Sequence, residues 1–196
     1  MKKKLKLSFN APVTLTFVLL CFVAVGLSYL TKGWTEYRIF MTYRSSLTDP
    51  LTYVRAFAHV LGHGDFAHLF SNISYLLLLG PVLEERYGSK RVIIIIIITA
   101  LLTGIANNLF FPNSALLGAS GIVFAFIILT SFSAVKDGKI PVTFILVAIC
   151  FIGQQIYDGI KNDDNISYIS HILGGVTGLV AGFIFNSRKK YTRSRK

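Results

Sequence analysis

Apolar residues along this chain come in runs of about twenty, separated by short polar segments, and not in the alternations that build sheets or the half-apolar stripes of soluble helices. Runs of that length match the roughly 30 Å hydrocarbon core of a bilayer. The pattern predicts six membrane helices, at about 11–30, 65–86, 92–110, 118–135, 141–157 and 166–185. The isoleucine run at 93–98 has no polar face and suits lipid or an apolar neighbour. Pro141 suits a first helical turn.

The polar segments then read as connections. Residues 32–66 form the longest, an ordered outer loop whose Trp34, Tyr37, Tyr43 and Tyr53 suit the membrane interface. Residues 86–91 and 136–139 are basic turns, 111–117 is an uncharged loop with Pro112, and 158–165 is an acidic loop. The chain divides into a basic N-terminus (1–10), one helical membrane domain (11–186) and a basic tail (187–196). The first run follows Lys2, Lys3, Lys4 and Lys6; its length favours an uncleaved span over a signal peptide.

Composition agrees: 53% of residues are hydrophobic and 15% charged, which excludes an ordinary soluble domain. The net charge of +11 would suggest nucleic acid in a soluble protein. Here fifteen of the twenty Lys and Arg fall on the side that holds both termini, so the charge reads as a topology signal, with both termini cytoplasmic and anionic headgroups as partner rather than nucleic acid. Cys21 and Cys150 lie in apolar runs and read as small buried hydrophobes, with no disulfide or metal spacing.

Strongly polar residues inside membrane helices are costly and mark function. At about 1.5 Å of rise per residue, Ser120 stands roughly 24 Å above the cytoplasmic edge at Lys136, and His171 roughly 25 Å above Arg188. His68 and Asn72 stand roughly 27 and 21 Å above Arg86. Four polar residues from three helices therefore share one level below the outer surface. Ser120, between glycines at a helix mouth, suits a nucleophile, and His171 suits the base that takes its proton. Free N–H groups at that helix start suit an oxyanion, as do His68 and Asn72, which share a face four residues apart. Gly174, Gly178 and Gly182 form a small-residue ladder, with Gly121 and Ala125 as the facing partners, which lets two backbones approach closely. His59, His63 and His68 lack metalloprotease spacing and a placed carboxylate, so no metal is expected; His59 and His63 read as loop anchors. Glu84 and Arg86 read as structural groups, pairing or capping at the cytoplasmic end.

These residues also carry a resemblance. Gly118-Ala119-Ser120-Gly121 resembles the Gly-x-Ser-Gly motif of the rhomboid intramembrane serine proteases, in their compact six-helix bacterial form. His68-Leu69-Phe70-Ser71-Asn72 resembles the family's His-x-x-x-Asn, and Ser170-His171 through Gly178 its Ala-His-x-x-Gly-x-x-x-Gly. The resemblance spans about 54–185 and implies an all-α polytopic membrane fold, a rhomboid-like bundle of six transmembrane helices. It implies a Ser120–His171 dyad without a third acidic member, and an oxyanion site from His68, Asn72 and the Ser120 N–H, with Gly118 shaping that loop. Gly121, Gly174, Gly178, Arg55, His63 and Phe124 would support it, and helix five, with Phe151 and Gln154, would border substrate entry. The substrates implied are single-span membrane proteins, cut near the outer end of their spans; because a substrate helix must unwind locally to expose its carbonyl, small and helix-weakening residues near the cut are expected. No cofactor is implied, and a bacterial plasma membrane is the implied setting. Three positions depart from the family pattern: Val54 replaces Trp before Arg55, Ser170 replaces Ala before His171, and Phe124 replaces a frequent Tyr. Two rivals are a catalytically silent rhomboid-like binding protein, against which the intact Ser120 and His171 argue, and a small transporter, against which the apolar run after Ser120 argues.

Overall fold

The computed structural model describes residues 8–133, 139–161 and 165–193. The elements are α1 (Pro12–Leu30), a π-helical turn (Glu36–Phe40), α2 (Pro50–Ala58), a 3-10 turn (His59–Leu61), α3 (Phe66–Tyr87), α4 (Ser89–Phe110), α5 (Ser120–Ser133), α6 (Val142–Lys161) and α7 (Asn165–Arg193). No strand is present among the described residues; two loops meet in a single antiparallel bridge, Thr42 with Leu116.

Among the described residues, four helical stretches are long and apolar enough to cross a membrane: Pro12–Leu30, Phe66–Tyr87, Ser89–Phe110 and Ser167–Asn186. The protein is therefore a multi-pass helical membrane protein. α5 is shorter and also apolar. Ten of its residues are buried, from Gly121 to Ser133, as befits a helix without a polar face. It is the central element, packing against α3, α4, α6 and, most extensively, α7. Around it, Leu69, Leu76, Ile95, Ile122, Phe126 and Leu129 form a continuous core. On α4, Ile95 is buried while Ile93, Ile94, Ile97 and Ile98 face outward, so most of the isoleucine run is lipid-facing surface. Cys21 is buried as expected, but Cys150 on α6 is exposed, on an outward face of its helix and not in the core.

The first turn of α1 is held by a distant carboxylate. Its N-cap residue, Ala11, offers no side-chain acceptor. Glu84 of α3 supplies one, accepting from the backbone N–H of Thr14 (2.8 Å) and Val13 (3.2 Å) and from the Thr14 hydroxyl (2.7 Å). Ser89 Oγ donates to the same carboxylate at 2.8 Å. Negative charge is favoured at a helix start, and a buried acceptor that vanishes strands its donors. Glu84→Ala is therefore expected to destabilise the fold by about 2–3 kcal/mol, read as a lowered midpoint of thermal unfolding in detergent; an unchanged midpoint would contradict this assignment.

Several boundaries differ from those the sequence suggests. The outer loop is not plain loop: Asp49 caps α2 by accepting from Leu51 N–H at 3.0 Å, with Pro50 at the first helical position. α4 starts at Ser89, three residues before the expected 92, because the break falls at Gly88 and the basic residues form the first turn. α6 continues through Lys161 into the expected acidic loop. α7 continues to Arg193 through the expected tail. Charge does not end a helix: Lys and Arg are good helix formers, and cations are favoured at a C-terminus. The basic turn at 136–138, Lys2 to Lys6 and residues 194–196 lie outside the described residues, as do the side chains of Phe151 and Gln154.

Candidate active site

The site forms where α5 begins. Ser120 is its first residue, and the first N–H groups of a helix have no intrahelical acceptor. The loop leading to it is pinned from several directions. Leu116 N–H donates to the Thr42 carbonyl at 2.8 Å, and Thr42 N–H returns a bond to Leu116 at 2.9 Å. Asn107 Nδ2 donates to the same Thr42 carbonyl at 3.1 Å, and Asn108 Nδ2 to the Thr42 hydroxyl at 2.9 Å. Two residues before the serine, Gly118 N–H donates to the His59 carbonyl at 2.9 Å. The outer loop and the end of α4 thus jointly hold the serine loop.

His171 lies in the second turn of α7, with Nε2 2.7 Å from Ser120 Oγ. Its ring stacks on Phe124, with centroids 4.4 Å apart and planes 7° from parallel. Phe124 is four residues after Ser120, on the same face of α5. One face of one helix therefore carries both the hydroxyl and the platform that orients the imidazole. The backbones approach closely enough for this because of glycine. A Cβ on Gly174 would overlap the carbonyl of Gly121, and one on Gly178 would overlap that of Ala125. Ser170, beside His171, is 2% exposed, and its carbonyl would stand 3.3 Å from a Cβ on Gly121.

Across the loop stands α3, whose N-cap Asp65 accepts from His68 N–H at 2.7 Å. Gly118 has φ +120°, outside the range of ordinary side chains, and a Cβ there would lie 2.7 Å from His68 Cε1 and 2.8 Å from Nε2. The imidazole of His68 thus packs directly on the Gly118 backbone. Asn72 is 5% exposed. Its Nδ2 donates to the His68 carbonyl at 3.0 Å, which leaves a second N–H on that amide. His63 sits behind, its ring edge-on to His68 at 5.0 Å. The structure gathers Ser120, His171, Phe124, Gly121 and Gly174 on one side of the loop and Gly118, His68, Asn72 and His63 on the other.

Arg55 is 1% exposed. It pairs with Asp49 at 2.9 Å, donates to Ser45 Oγ at 3.0 Å and lies 4.7 Å from the centre of the Tyr43 ring. Val54 points outward, so Arg55 alone of that pair anchors the outer loop. His59 joins this anchor to α4, with Nε2 3.1 Å from Thr103 Oγ1 and Nδ1 3.3 Å from the Arg55 carbonyl. Thr42, Asn107, Asn108 and the His59 carbonyl were not singled out from sequence. The adjacent asparagines ending an apolar helix were the available signal. Among the described residues no group of three or more His, Cys, Asp or Glu is arranged to hold a metal.

These anchors carry a pH dependence. Burial holds the His59 imidazole well below its ordinary pKa, and burial, followed by the neighbouring His68, does the same for His63. The hydrogen bond from Arg55 holds the Asp49 carboxyl below its usual range. All three depressions act in one direction: the unfolded chain binds more protons, so stability is lost as pH falls. The histidine contribution begins to disappear below about pH 6.5 and the Asp49 contribution below about pH 4. Amide exchange in residues 36–61 is expected to accelerate through this window, and His59→Gln to flatten its upper part; exchange independent of pH after correction for intrinsic rates would contradict it.

The family model described as Rhomboid domain matches residues 50–188, from α2 into α7.

Proposed function

Because this chain belongs to the rhomboid family of intramembrane serine proteases, we propose that it is a serine endopeptidase that cuts transmembrane segments of membrane proteins through a Ser120–His171 dyad. The observation that carries this reading is the 2.7 Å contact between His171 Nε2 and Ser120 Oγ, beside a glycine-shaped loop at a helix start.

The chemistry follows from the geometry. His171 takes the hydroxyl proton as Ser120 Oγ attacks the scissile carbonyl. Stacking on Phe124 keeps the imidazole in line during the transfer. Negative charge then develops on the carbonyl oxygen above the start of α5, where the Ser120 N–H, the second N–H of Asn72 and the imidazole of His68 are the available donors. Removing one such donor costs about 10²–10³-fold in kcat in other serine hydrolases. Collapse of the tetrahedral species expels the amine, which takes the proton back from His171. Water, activated by the same imidazole, then releases the acyl group. A substrate helix must unwind locally to present its carbonyl, so small and helix-weakening residues near the cut are favoured.

The substrates proposed are single-span proteins cut near the outer face, and the setting is a bacterial plasma membrane with both termini cytoplasmic. The test is cleavage of a generic single-span substrate by purified protein in liposomes, with and without EDTA. Cleavage indifferent to EDTA is expected. No cleavage by protein shown to be folded would favour a silent client-binding role, and loss of activity with EDTA would point to a metal-dependent reaction.

A further inference from the structure

The loop that delivers Ser120 is fixed near its end at two points, separated by Leu117. Leu116 N–H donates to the Thr42 carbonyl at 2.8 Å, and Gly118 N–H to the His59 carbonyl at 2.9 Å. Neither acceptor belongs to an α-helix: Thr42 lies in the outer loop and His59 in the 3-10 turn. A site carried on irregular backbone is only as well aimed as the groups that lock that backbone. The His59 ring is tied to Thr103 of α4 at 3.1 Å. For Thr42 the tie to α4 is Asn107.

Asn107 Nδ2 reaches the same Thr42 oxygen as Leu116 N–H, at 3.1 Å. A carbonyl oxygen has two lone pairs, and here a long helix takes one while the serine loop takes the other. The Thr42 peptide plane is thereby set against α4. Asn108 holds the same residue differently, donating from Nδ2 to the Thr42 hydroxyl and to the Gly104 carbonyl, both at 2.9 Å.

Asn107 is poorly explained as a stabilising residue. It is fully buried, and its Oδ1 has no hydrogen-bond partner among the described residues. A buried amide with an unpaired oxygen contributes little net stability. Its removal orphans nothing at Thr42, whose carbonyl keeps the Leu116 N–H. What the amide supplies is direction.

We propose that Asn107 is a positioning residue for the cleavage reaction, acting through the Thr42 carbonyl to aim the loop that carries the Ser120 N–H toward the developing oxyanion. The inference rests on the reading of Ser120 as the nucleophile. An oxyanion exists only beyond the ground state, so loss of aim falls on kcat and not on KM. His171 is carried by α7 and stacked on Phe124, away from this loop, so the pH midpoint of kcat stays where it is.

The experiment measures kcat and KM for a single-span substrate in liposomes, per serine titrated with a fluorophosphonate, with the pH profile and thermal midpoint of the same preparations. Asn107→Ala is expected to lower kcat about tenfold, the value of one hydrogen bond, with KM, pH midpoint and thermal midpoint close to wild type. Asn107→Gln, which keeps an amide donor, is expected to recover part of the loss. Thr42→Val removes the hydroxyl and keeps the carbonyl, and is expected to lose about threefold at most. An unchanged kcat in Asn107→Ala, a loss appearing in KM or thermal midpoint instead, no recovery with Gln, or an equal loss in Thr42→Val would overturn the proposal and leave the protease reading standing. Folded wild-type protein that neither titrates nor cleaves would overturn that reading and the proposal with it.

Discussion

Ser120→Ala is expected to lower cleavage of a transmembrane substrate by about 10⁴-fold or more, with folding unchanged. The hydroxyl is only partly buried, so its removal leaves no large cavity and strands no buried donor. What it removes is the nucleophile. His171→Ala is expected to cost a similar factor, because an uncharged hydroxyl is a poor nucleophile until a base takes its proton. The double variant is expected to be no worse than either single one. Groups that act as a unit are grossly non-additive, and removing the second member of a broken pair costs almost nothing further. The check is single-turnover cleavage by all three variants in one lipid composition. Multiplying defects would mean that the two residues act in separate steps.

Gly174→Val is expected to lower kcat by about 10²-fold while leaving the protein folded and membrane-inserted. A Cβ at position 174 would overlap the Gly121 carbonyl, so α7 must move away from α5. His171 lies one turn before Gly174 on the same helix and moves with it, lengthening the 2.7 Å contact with Ser120. A displacement of about 1 Å in a reacting pair is enough for a loss of that size. Overpacking of this kind also costs about 1–3 kcal/mol of stability, so the thermal midpoint is expected to fall too. Gly175 separates the two effects: a Cβ there would meet only Ile128 Cγ1, at an ordinary 3.6 Å. Gly175→Ala is expected to keep most activity. Equal losses in the two variants would show that the effect is general to α7 and not a matter of dyad distance.

Much of this architecture is legible in the chain because the physics is local. A run of about twenty apolar residues has few alternatives to a membrane helix. A serine, two histidines and an asparagine at one computed depth point to each other without any motif, because an unpaired polar group in hydrocarbon is expensive. The ladder at Gly174 and Gly178 is legible for the same reason: spacing alone puts the small residues on one face.

What was not legible is non-local. Glu84 and Thr14 are 70 residues apart, and no local pattern joins a carboxylate ending one helix to the bare first turn of another. The Thr42–Leu116 bridge, which pins the serine loop, joins two segments that each read as loop. α2 was missed because its nine residues are too few for a clear period. The helix ends at Lys161 and Arg193 were missed because charged residues read as a boundary to the membrane, while the backbone continues as helix into the polar phase. The partners of Arg55, Asp49 and Ser45, lie within the loop itself, and nothing in the spacing of the chain joins them to it.

The central claim is that Ser120 is activated by His171, and the most direct measurement is covalent labelling. The purified protein would be treated with a fluorophosphonate, which phosphonylates only activated serines, then digested and mapped by mass spectrometry. The account predicts one adduct, on Ser120, lost in both Ser120→Ala and His171→Ala. An adduct on another serine, or on Ser120 undiminished by His171→Ala, would contradict it.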